Sequence, residues 1–76
     1  MDEQLVDTVM QAIRAYVRAR PDCADTIEGI HAWWVPWPDQ PEPLSVTRLA
    51  LERLEAEGVL ERRHVGRREL WRARRE

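Results

Sequence analysis

The stretch that decides the fold reads Ser45-Val46-Thr47-Arg48-Leu49-Ala50-Leu51-Glu52-Arg53-Leu54-Glu55-Ala56-Glu57-Gly58-Val59-Leu60-Glu61-Arg62-Arg63-His64-Val65-Gly66-Arg67-Arg68-Glu69-Leu70-Trp71. Its first half has a helical period, with Ala50, Leu51 and Leu54 forming an inward stripe. Ser45 stands where an N-cap is expected, and Leu44 before it can staple onto Leu49. Gly58 supplies the left-handed residue that ends such a helix. Arg53 and Glu57, four apart, are expected to pair on its solvent face. From Val59 the period shortens: Val59 to Arg63 and Arg68 to Ala73 read as two strands joined through Gly66. The expectation is a helix over 45–57 and a hairpin over 59–73 with a basic tip.

Working outward, residues 3–20 predict an amphipathic helix. Leu5, Val6, Val9, Ile13, Tyr16 and Val17 recur at helical spacing, and Pro21 stops the run. A second helix is expected over 25–34, capped by Asp25 with Glu28 three residues on, and burying Ile27, Ile30 and Trp34. Gly29 inside it weakens the helix by about 1 kcal/mol relative to alanine, which suggests close approach of another element. Residues 35–43 hold four prolines in nine positions and predict a stiff loop that Trp37 pins to the body. A short third strand is allowed near 22–24 or 42–44.

Seventy-six residues make a single domain over 1–76, with a stability margin of only a few kcal/mol. No apolar run approaches the ~18 residues of a membrane span, and the acidic N-terminus lacks the basic start of a signal peptide, so a cytoplasmic location is expected. Cys23 is the only cysteine, which excludes an internal disulfide. Cys23, His31 and His64 lack metal-ligand spacing, so no metal or other cofactor is expected. Neither histidine has a nucleophile and orienting partner in view, and no glycine-rich phosphate loop exists; an enzyme is not expected.

The net charge of −2 is unevenly spread. Residues 1–47 carry three arginines against eight acids, while residues 60–76 carry seven arginines against three glutamates. A basic end on an acidic body is a candidate footprint for nucleic acid. The order helix, helix, loop, helix, hairpin, together with Ala50–Arg63 and Val65–Trp71, resembles the third helix and wing of bacterial winged-helix regulators of the PadR, MarR and GntR groups. That resemblance implies an α+β winged helix, three helices followed by a two-stranded wing, and a DNA-binding, transcription-associated role. It implies that the third helix enters the major groove through Ser45, Thr47 and Arg48, and that Arg62, Arg63, Arg67, Arg68 and Arg72 of the wing contact phosphates. Palindromic recognition would require a homodimer, for which the first helix is available.

A second reading is an adaptor that binds another protein. The third helix carries Glu52, Glu55 and Glu57 against Arg48 and Arg53, which disfavours DNA. Trp33, Trp37 and Leu49 would form the interaction surface, since tryptophan is enriched at interface hot spots. Double-stranded DNA and a protein partner therefore both stand as candidate partners. The discriminating feature is whether Arg48 and the wing arginines share one face.

Overall fold

A computed structural model describes residues 2–75. Helix α1 runs Glu3–Ala19, with the Asp2 carboxylate accepting from the Gln4 and Leu5 amides. Val6, Val9, Ile13 and Val17 are buried as the apolar spacing predicts, Met10 joins them, and Leu5 and Tyr16 are half-buried at the edge. Strand β1 is the two-residue Ala24–Asp25. Helix α2 begins as Ile27–Gly29 and widens into a π-helical turn over Ile30–Trp34. Helix α3 runs Leu44–Ala56, and strands β2 (Leu60–Val65) and β3 (Arg68–Ala73) follow.

The sheet is antiparallel, three-stranded and ordered β1-β3-β2. The expected hairpin is thus present but does not stand alone. Ala24 pairs with Arg72 and Asp25 with Trp71, so β3 is a central strand. The chain is a small α+β domain of three helices and a three-stranded antiparallel sheet.

Two caps differ from the sequence expectation. Asp25 belongs to β1, and Thr26 caps α2 by accepting from the Gly29 amide at 3.2 Å. The Asp25 carboxylate instead accepts from the Thr26 amide at 2.8 Å and lies where a Cβ on Gly29 would sit. Glycine there makes room for the strand-to-helix turn. At the other helix, Pro43 precedes the first helical residue and Ser45 is already inside, with no side-chain cap. Pro43, at φ of −56° and ψ of 146°, takes the non-helical backbone of an N-cap itself, so the helix begins at Leu44 ahead of the serine. The C-terminal expectation holds: Gly58 has φ of +79°, its amide bonds Glu55 and the Val59 amide bonds Leu54, closing a Schellman motif.

The core sits between α1, α2 and α3 and the inner face of the sheet. Ile13, Ile30, Leu51, Leu54, Leu60 and Trp71 are its largest fully buried side chains. Trp34 turns inward and stacks on Tyr16 at 4.6 Å, and the Arg20 guanidinium lies 4.5 Å above the same tyrosine. Trp37 does hold the proline loop: its indole N–H donates to the His31 carbonyl at 2.6 Å. No helix among the described residues is long and apolar enough to cross a membrane.

Candidate nucleic-acid interface

Strand register decides which hairpin arginines are available. Leu60 pairs with Ala73 and Arg62 with Trp71, so Arg62 shares the inner face with the core tryptophan. Its guanidinium lies 4.6 Å over the Trp71 ring and donates to both carboxylate oxygens of Glu55 on α3, at 2.9 and 2.8 Å. Those hydrogen bonds hold the Glu55 carboxyl below its ordinary pKa and raise that of Arg62. Arg62 is therefore a strut between sheet and helix. Arg72, on the outer face, donates to Glu61 at 2.7 Å, and that bond lowers the Glu61 pKa.

The tip is different. Arg63, Arg67 and Arg68 are exposed, and none has a carboxylate within 4.0 Å among the described residues. Gly66 takes φ of +64°, letting the chain reverse within two residues, so that Val65 pairs with Arg68 and Arg63 with Leu70. A cleft of about 480 Å³ separates the tip from the helices; Arg67, Arg68 and Glu69 line one wall and Arg48, Thr26 and Glu28 the other. Arg48, Arg67 and Arg68 thus border one space, while Arg63, which alternates to the outer face of β2, does not line it. Glu28 and Glu69 temper its positive charge, and Glu69 is itself engaged by Arg62 at 3.6 Å and His64 at 3.4 Å.

Helix α3 is less acidic toward solvent than its composition suggests. Glu55 is held by Arg62, and Glu57 by Arg14 of α1. The expected Arg53–Glu57 pair does not form: Arg53 reaches across to Glu3, whose pKa its hydrogen bonds lower. The polar residues that α3 leaves exposed are Ser45, Arg48 and Glu52.

Thr47 is fully buried, and its hydroxyl shares a 2.6 Å hydrogen bond with His31 Nδ1. It fixes α3 to α2 and presents nothing to solvent. The His31–Thr47 bond was invisible in the sequence, because no local spacing links residues sixteen apart. Of the residues considered for protein contact, Leu49 and Trp37 are half-buried against the core, while Trp33 is 78% exposed. Cys23 is half-buried, which raises its thiol pKa. No cluster of three or more metal-ligating side chains occurs among the described residues.

Comparison with known proteins adds no relative: no family, curated protein or solved structure matches the chain.

Proposed function

We propose that this chain is a winged-helix DNA-binding protein of the transcription-associated kind, gripping the duplex through the β2–β3 tip and the N-terminal half of α3. The observation that carries the reading is the shared cleft of Arg48 with Arg67 and Arg68, none of them neutralised by a described carboxylate. The β2–β3 hairpin following α3, and the internal use of Glu55 and Glu57, also support it. Arg63, Arg67 and Arg68 neutralise phosphates, and Arg48 approaches the major groove. Arg62 and Arg72 hold the hairpin and make no contact with DNA.

The test is fluorescence anisotropy with a mixed-sequence duplex over a series of salt concentrations. Three phosphate contacts give a log–log salt slope of about −2.7. Absence of binding at the lowest salt refutes the proposal. The adaptor reading retains one favourable observation, the exposed Trp33, but Trp37 and Leu49 are withdrawn into the body. A partner protein captured through Trp33, with no DNA binding, would favour it.

A further inference from the structure

Glu52 is the puzzle in a DNA-facing α3. A carboxylate repels phosphate, and unlike Glu55 and Glu57 it is exposed with no cation within 4.0 Å among the described residues. It lies four residues after Arg48 on the same helix face. The two do not pair, which agrees with the poorer geometry of a cation N-terminal to an acid at this spacing. Glu52 feels the charge of Arg62, but that guanidinium is hydrogen-bonded to Glu55, so the Arg48 and Glu52 tips both stay open to an outside partner that offers acceptors to the arginine and a donor to the carboxylate.

We infer that Arg48 and Glu52 are a specificity pair that reads a guanine and a cytosine in the major groove. Four helical residues rise about 6 Å, which matches a reach of about two base-pair steps. Guanine offers two acceptors, N7 and O6, to the arginine fork. Cytosine offers the N4 donor to a carboxylate with no adjacent N7, whereas adenine sets its N7 acceptor beside its amino group and repels the acid. Glu52 thereby lowers affinity for arbitrary sequence and restores it at a G·C-containing step. Ser45, one turn before Arg48, is exposed on the same side and can accept or donate. The inference rests on the DNA-binding reading and goes beyond it by assigning which bases are preferred.

The test is selection from a random duplex library at moderate salt, run in parallel with the native chain, Glu52→Gln and Arg48→Ala. The native chain is expected to enrich a site with G and C within two steps, by about tenfold over mismatched duplexes. Glu52→Gln is expected to move the preference at the cytosine position to adenine, because a glutamine amide pairs with adenine N6 and N7. Arg48→Ala is expected to lose the guanine preference alone. A uniform rise in affinity for all sequences in Glu52→Gln would overturn the inference, as would native binding to every duplex within twofold; the DNA-binding reading would survive both. Failure of all three proteins to retain any duplex at low salt overturns that reading and the specificity pair with it.

Discussion

The two ends of one hairpin carry the same residue type in opposite roles. At its base, Arg62 and Arg72 are spent on Glu55 and Glu61, and Arg62 also covers the Trp71 ring. At its tip, Arg63, Arg67 and Arg68 meet no described carboxylate. Base arginines lie where β3 is central and α3 packs beside the sheet, so acids from neighbouring elements are in reach. At the tip a cleft keeps Arg67 and Arg68 apart from Thr26, Glu28 and Arg48, and no described carboxylate comes within 4.0 Å of them. A count of positive charge in sequence therefore overstates what a ligand can meet. The same holds in reverse for α3, whose glutamates are partly consumed from within.

The largest effect is expected at the base. Trp71→Ala removes the largest fully buried side chain, and a loss of about 3–5 kcal/mol should leave so small a chain mostly unfolded by circular dichroism. Full retention of the melting transition would mean that the base is not what holds the hairpin. Next comes the tip: Arg67→Ala with Arg68→Ala should reduce the salt slope of DNA binding by about 1.8 and leave the melting temperature unchanged. Arg62→Ala should do the opposite. It loses an ion pair screened by water, since both partners are about one-third exposed, and a cation–π contact, together about 1 kcal/mol, with the DNA salt slope intact.

Acid gives a milder test of the same contrast. The Glu55 and Glu61 pKa values are lowered by hydrogen bonds from Arg62 and Arg72. Their contribution to stability is complete above the ordinary value of 4.5 and is lost as pH falls through the depressed folded values. In Arg62→Ala the Glu55 share of that loss should disappear from a denaturation series below pH 4.5. The smallest change is expected at Trp33→Ala, within about 0.5 kcal/mol of the native stability, because the ring is 78% exposed.

Much of the architecture was legible because it rests on local chemistry. The period of α1, the helix stop at Gly58 and the reversal at Gly66 each depend on residues within one turn of one another. The first residue of α3 and the cap of α2 were misread for a shared reason. Neighbouring chain decided both: α3 begins directly after Pro43, with Ser45 already inside, and strand pairing takes Asp25 and leaves Thr26 to cap α2. Of the site residues, Ser45, Arg48, Arg63, Arg67 and Arg68 are on the surface as expected. Thr47, Arg62 and Arg72 differ because their partners, His31, Glu55 and Glu61, are brought to them only by the folded chain. Sequence records charge, and packing decides whether that charge is already spoken for.

The most direct measurement is backbone and guanidinium chemical-shift mapping during titration with a mixed-sequence duplex at low and then moderate salt. The expected result is movement at Ser45, Arg48, Arg63, Arg67 and Arg68 that fades as salt rises, with the Arg62 and Arg72 guanidinium signals undisturbed. Equal movement of base and tip arginines, or shifts centred on Trp33, would contradict the division on which this account depends.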